Sequence, residues 1–152
     1  MSEYNATICW LRGDQDFLAN KYSRAHEWQF DGGSVVKASA SPHIVPEPWS
    51  VLENVDPEEA FVASLASCHM LFFLAFAAKQ GFQVDSYTDT AVGELAKDGD
   101  SRHAMTVVRL RPEVVFAGDK APDAGTLQSI HQVAHEHCFI ANSVKTQVLI
   151  ET

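Results

Sequence analysis

The apolar and polar positions along the chain predict a β-rich start, a long apolar helix, a pair of strands, a second helix and a final strand. "YNATICWLRG" (4–13) alternates weakly and is rich in β-formers, which predicts a strand. "DQDFLANKYSRAH" (14–26) reads as a loop or turn. "EWQFDGGSVVKASASP" (27–42) reads as a hairpin, with "DGG" as the turn between two short strands. Pro42, Pro46 and Pro48 fall within seven residues, so 42–55 is an irregular extended connection.

A strong helix start follows. Asp56 is a good N-cap, Pro57 suits the first helical position, and Glu58 and Glu59 complement the positive end of the helix dipole. Phe61, Leu65, Phe72 and Phe76 lie near helical spacing, and Gly81 is a natural stop. This helix is apolar nearly all round, so it is expected to be buried on most faces, with a second subunit covering part of it. "QVDSYTDTAVGELAKDG" (83–99) and "RHAMTVVRLRPEVVFAG" (102–118) read as two long antiparallel strands joined at "KDGDS". A second helix is expected from Asp123 to about His137, with Leu127, Ile130, Val133 and Ala134 on its apolar face. "CFIAN" ends it and "SVKTQVLIE" is a last strand. With no repeat, low-complexity tract or linker, residues 1–152 read as a single α+β domain.

Charge removes several function classes. Eleven basic residues against 20 acidic ones give a net charge of −9 without a local Lys/Arg cluster, which argues against nucleic acid or an anionic membrane as partner. "MSEYNATICW" lacks the basic-then-apolar order of a signal peptide. The apolar helix begins with "DPEE" and carries His69, Lys79 and Gln80, which places it short of a continuous membrane span. The expectation is a cytoplasmic protein. Three cysteines are an odd count with no scaffold spacing, so in a reducing compartment they are buried filler, metal ligands or redox groups.

Cys68 lies about three turns inside its helix, too deep for the dipole alone to activate it, and it follows the small residues Ala63, Ser64, Ala66 and Ser67. Glu58 is ten positions earlier, close to three turns, and so falls on roughly the same helix face. A carboxylate alone disfavours a thiolate, but it can hold an arginine that stabilises one; Arg12, Arg24, Arg102, Arg109 and Arg111 are the candidates. The pattern leaves a reactive Cys68 and a space-filling Cys68 both open. Cys9, beside Trp10, and Cys138, taken alone, read as core filling. His131 and His135 have the i, i+4 spacing of a metal pair, yet the H-E-x-x-H glutamate is missing and other ligands would have to come from elsewhere. The histidines of this helix therefore read as a solvated face, and no metal is expected. His69 follows Cys68 directly and points about 100° away from it, a poor base for that thiol. Ser/His/Asp catalysis has no support, since no G-x-S-x-G elbow occurs.

"DPEEAFVASLASCHMLFFLAFAAKQG" resembles the signature of OsmC/Ohr-type thiol peroxidases, with Asp-Pro-Glu, small residues, and a cysteine ten positions after the glutamate. "VDSYTDTAVGELAKDG…VVRLRPEVVFAG…HEHCFIANSVKTQVLIE" resembles the OsmC-like branch, and the likeness runs from "YSRAHEWQFDGG" onward. The resemblance implies a catalytic Cys68, a resolving Cys138, and a Glu58–arginine pair in which Arg24 occupies the expected place better than Arg12. It implies an intertwined homodimer whose long central helices pack against antiparallel sheets from both chains. Its implied activity is reduction of organic hydroperoxides, with hydrogen peroxide as a second substrate, in oxidative-stress defence. The route is a Cys68 sulfenic acid and a Cys68–Cys138 disulfide, reduced by an external dithiol such as a lipoyl protein and needing no cofactor. Phe61, Phe72, Phe139 and the Pro-rich loop would wall the substrate pocket. Two departures stand out: Phe139 follows Cys138 where many members have proline, and the Pro-rich loop replaces the Gly-rich loop of the organic-hydroperoxide branch. The rival reading is a non-enzymatic dimeric binding protein for a hydrophobic small ligand.

Overall fold

The computed structural model describes residues 1–152, which fall into two compact units, Met1–Ala60 and Phe61–Thr152. The boundary lies inside the long helix rather than in a linker.

In the first unit, β1 (Ala6–Cys9), β2 (His26–Phe30) and β3 (Val35–Ala38) form an antiparallel sheet in that order, with Trp28 opposite Ile8 and Val36. Between β2 and β3 the turn closes with the Gly33 N–H on the Phe30 carbonyl at 3.0 Å, and Gly33 takes a φ of +93° that a side chain would oppose. The loop after β1 is held by aromatic packing of Trp10, Phe17 and Tyr22, whose ring centroids lie 4.7 to 5.9 Å apart. Cys9 is exposed, which corrects the reading of it as core filling; the whole of β1 lies open. The Pro-rich stretch is irregular, as its prolines dictate. Its return is tied to β3 by Ser39, whose Oγ accepts the Val51 N–H at 2.9 Å, and by the Val55 N–H on the Lys37 carbonyl at 3.0 Å.

Helix α1 (Pro57–Lys79) begins on a reciprocal capping box: Asp56 Oδ1 accepts the Glu59 N–H at 2.8 Å, and Glu59 Oε2 accepts the Asp56 N–H at 3.3 Å. Gly81, at φ +81°, stops it. At 23 residues and a mean hydropathy of 2.0 over its most apolar window, α1 has the length and composition of a membrane span, contrary to expectation. Here it is the core helix. One stripe is buried, Leu65, His69, Phe73 and Ala77, while Leu71 is 59% exposed. Burial on most faces is therefore not realised within the single chain.

In the second unit the two expected long strands are each cut in two. They become β4 (Val84–Asp89), β5 (Val92–Lys97), β6 (His103–Leu110) and β7 (Pro112–Phe116), arranged as a β4–β7 pair and a β5–β6 pair that a later strand extends on the β6 side. The cuts face each other across the hairpin. Asp89 Oδ1 accepts the Arg111 N–H at 2.7 Å, and Pro112 has no N–H to offer. Strand β8 (Gln147–Ile150) lies parallel to β6. Gly93 on β5 allows close approach of α1, because a Cβ there would stand 2.6 Å from Val62 Cγ2 and collide with Met105. Helix α2 (Ala124–His137) is capped by Asp123, which accepts the Thr126 N–H at 2.7 Å; a single turn, α3 (Phe139–Asn142), follows it. Two core clusters result: Phe73 and Ala77 with Ile130 and Ala134, and Leu65 with Val108 and Leu110.

Candidate active site

Cys68 lies in the middle of α1 and is half-buried. Phe61 and Phe72 precede and follow it by seven and four residues, so all three share one helix face. Cys138 sits between α2 and α3, in extended conformation, as the C-cap of one and the N-cap of the other. Its N–H donates to the His135 carbonyl at 3.2 Å, its Sγ accepts the Ala141 N–H at 3.5 Å, and it is 1% exposed. Cys68 neighbours the Cys138 thiol closely enough to raise its pKa, and both thiols are free. Burial pushes the Cys138 thiol pKa up, and the neighbouring Cys68 adds to this while the Ala141 N–H partly offsets it. The pair is asymmetric: an accessible thiol on a helix, backed by a buried one that stays protonated.

Phe139 occupies the first position of α3, where proline also fits, so its backbone role there does not need proline. Its ring is 70% exposed and meets Phe72 edge-to-face, with centroids 5.0 Å apart. Phe72 and Phe139 are thus brought together beside the cysteines. Phe61 instead packs on the Leu65 cluster.

Glu58 is half-buried on the first turn of α1; ten residues at about 100° each leave it some 80° around the helix from Cys68, less aligned than the ten-residue spacing implies. No ion pair joins Arg24 to Glu58. Arg24 stacks 3.6 Å above the Tyr22 ring and donates to the Tyr22 carbonyl at 2.6 Å and to Asn20 Oδ1 at 2.8 Å. It lines a largely apolar cavity of about 450 Å³ within the first unit, together with Trp10, Phe17, Tyr22 and His26. Arg12 is occupied locally, donating to the Gln15 carbonyl at 3.1 Å.

The sequence misses one pair entirely. His69 and His131 are 1% and 3% exposed, and His69 Nε2 lies 3.0 Å from His131 Nδ1. Their rings are coplanar to within 5°, with centroids 5.3 Å apart, the arrangement of a hydrogen bond lying in a shared plane rather than of stacked faces. Phe73, one turn beyond His69, covers His131 with centroids 4.3 Å apart. His131 is therefore a core residue, which corrects its placement on a solvated face. Burial pulls both imidazoles down to about 4, His131 and His135 adding to the effect at His69. The unfilled hint is that His131 lies on the Ile130/Ala134 face of α2, a signal of burial independent of residue type.

The family model described as OsmC-like protein matches residues 53–152. An OsmC-like protein of unknown function from Vibrio cholerae is 58% identical, with a TM-score of 0.98 and 99% of each chain covered. The organic hydroperoxide resistance protein OhrB of Bacillus subtilis is 19% identical, with a TM-score of 0.69, covering 99% of this chain and 97% of its own. An organic hydroperoxide resistance protein from Elizabethkingia anophelis is 14% identical, with a TM-score of 0.71, covering 99% and 93%. A search of curated proteins finds no match. By its family match and by its 58% identical relative, the chain belongs to the OsmC-like family.

Proposed function

We propose that the protein is a thiol-dependent peroxidase that reduces organic hydroperoxides, with Cys68 as nucleophile and Cys138 as resolving cysteine. The observation that carries this reading is the half-buried Cys68 thiol neighbouring the buried Cys138 thiol. Family membership and the hydroperoxide-resistance names of two structural neighbours add support. The Cys68 thiolate attacks one peroxide oxygen, the O–O bond breaks, and an alcohol leaves, giving a sulfenic acid. The Cys138 thiol then displaces the hydroxyl as water to form the disulfide, which an external dithiol such as a lipoyl protein reduces. The roles of Arg24 as thiolate partner and of Glu58 as its orienter rest on the family resemblance alone, since Arg24 is engaged by Tyr22 and Asn20 and makes no ion pair with Glu58. Phe72 and Phe139 form the apolar wall against which the alkyl group of the peroxide lies. The acting unit is a homodimer of single-domain chains in a reducing, cytosolic setting.

The test is consumption of cumene hydroperoxide in the presence of a dithiol. Turnover is expected in the wild type and loss of at least a thousandfold in Cys68→Ser. A folded wild type that consumes no peroxide would favour the second reading, a dimeric binding protein whose ligand enters the roughly 450 Å³ cavity beside Trp10 and Tyr22.

A further inference from the structure

Three sets of contacts join α1 to α2 and its C-cap. Cys68 meets Cys138, His69 meets His131, and Phe73 and Ala77 meet Ile130 and Ala134. Among these contacts the imidazole pair makes the one side-chain hydrogen bond between the two helices. Apolar contacts are non-directional and tolerate sliding, whereas an in-plane N–H···N bond fixes both distance and angle. The pair is held at considerable cost to the core. In either tautomer arrangement one ring donates to the other, which leaves His69 Nδ1 and His131 Nε2 buried without a partner. Two apolar side chains of similar volume would fill the same space without that penalty. On the sequence, His69 is the residue after Cys68, and His131 lies two helical turns before Cys138 on the same side of α2. The tie thus adjoins one thiol along the chain and stands two turns from the other.

We propose that His69 and His131 are positioning residues for the disulfide step: their hydrogen bond fixes the crossing of α1 over α2 and so holds the Cys138 thiol against Cys68. This rests on the two-cysteine reading given above. In that step the Cys68 S–O bond breaks and an S–S bond forms. The sulfenic sulfur is reduced, the Cys138 sulfur is oxidised, and the thiol proton leaves with the hydroxyl as water. No further reactant is needed once a hydroperoxide has oxidised Cys68, so the rate depends on how often the two sulfurs meet in line. That is the quantity a fixed crossing controls.

The experiment compares wild type, His131→Phe, His131→Asn and His69→Gln. His131→Phe keeps an aromatic face against Phe73 and removes the hydrogen bond, while Asn places an amide group where Nδ1 lies, and Gln at 69 does so where Nε2 lies. The first readout is equilibrium of the Cys68–Cys138 pair with oxidised and reduced dithiothreitol, which requires no peroxidase activity. His131→Phe is expected to lower the equilibrium constant for disulfide formation at least tenfold, and the two amide variants to stay within threefold of wild type. The second readout is reaction with cumene hydroperoxide. Sulfenic acid formation at Cys68 is expected to stay within twofold in all variants, while closure slows at least tenfold in His131→Phe and sulfinic Cys68 accumulates. A folded His131→Phe with wild-type equilibrium and closure would overturn the positioning role, as would amide variants as impaired as it is. If the wild type equilibrates with dithiothreitol but does not react with the hydroperoxide, the peroxidase reading fails while the dithiothreitol series still decides the role of the histidines.

Discussion

In the proposed reaction, Cys68 and Cys138 divide their labour through burial. A thiol that is 1% exposed and held protonated is a poor first nucleophile, and a half-buried one on the same core face is a better one. Behind them the imidazole pair makes the fold acid-sensitive. Both folded-state values lie near 4, below the unfolded value of 6.5, so between those limits the unfolded chain binds more protons. Stability is full above about pH 6.5 and falls as pH drops toward 4, by a few kcal/mol for the pair. Urea unfolding at pH 7.5 and 5.0 should therefore give a clearly lower midpoint at the acid value, and His69→Leu combined with His131→Phe should remove most of the difference. An unchanged pH dependence in that double variant would mean that other groups set acid sensitivity. None of this could be read from the sequence, because the two histidines are 62 residues apart and their meeting depends on how α1 and α2 cross.

At the scale of elements, local signals were the readable ones. The Asp56 cap, Pro57, the turn at Gly33 and the helix start at Asp123 are each written within four residues and stand where the sequence predicts, and Glu59 adds the return bond of a capping box. Replacing Asp56 by Ala leaves the Glu59 N–H without its 2.8 Å acceptor and should cost about 1 kcal/mol, or roughly 2–4 °C in Tm for a chain of this size. Gly93→Ala should cost more, about 1–3 kcal/mol, because the new methyl meets Val62 and Met105 where α1 rests on β5. A Tm for Gly93→Ala at or above that of Asp56→Ala would contradict this ordering. The strands were less legible. Their β-forming residues predict long runs, but the Asp89–Arg111 bond and Pro112 interrupt both runs at facing positions, a break visible only once the two strands are paired. The parallel seat of β8 beside β6 likewise has no local marker.

Over the whole molecule, the family was legible and the activity is inferred from it. The spacing of Glu58 and Cys68 and the later Cys138 carry the resemblance, and their meaning for chemistry comes through the proximity of the two thiols. The apolar surface of α1 carries a second expectation. Only the Leu65–His69–Phe73–Ala77 stripe is buried, and the open face presents Leu71, 59% exposed, among the small residues Ala63, Ser67 and Ala75, a surface that another helix can approach closely. Light scattering should give twice the 16.7 kDa chain mass, and Leu71→Glu should shift the protein toward monomer. A wild-type monomer at micromolar concentration would leave that face without its proposed cover.

The most direct test of the central claim is intact mass under denaturing, thiol-blocking conditions, before and after one equivalent of cumene hydroperoxide, for wild type and Cys138→Ser. The two-cysteine account predicts loss of two hydrogens in the wild type and a +16 Da species at Cys68 in the variant. Two thiols that stay reduced while the peroxide persists would contradict it, and Cys68 would then be a packing residue of the α1 core.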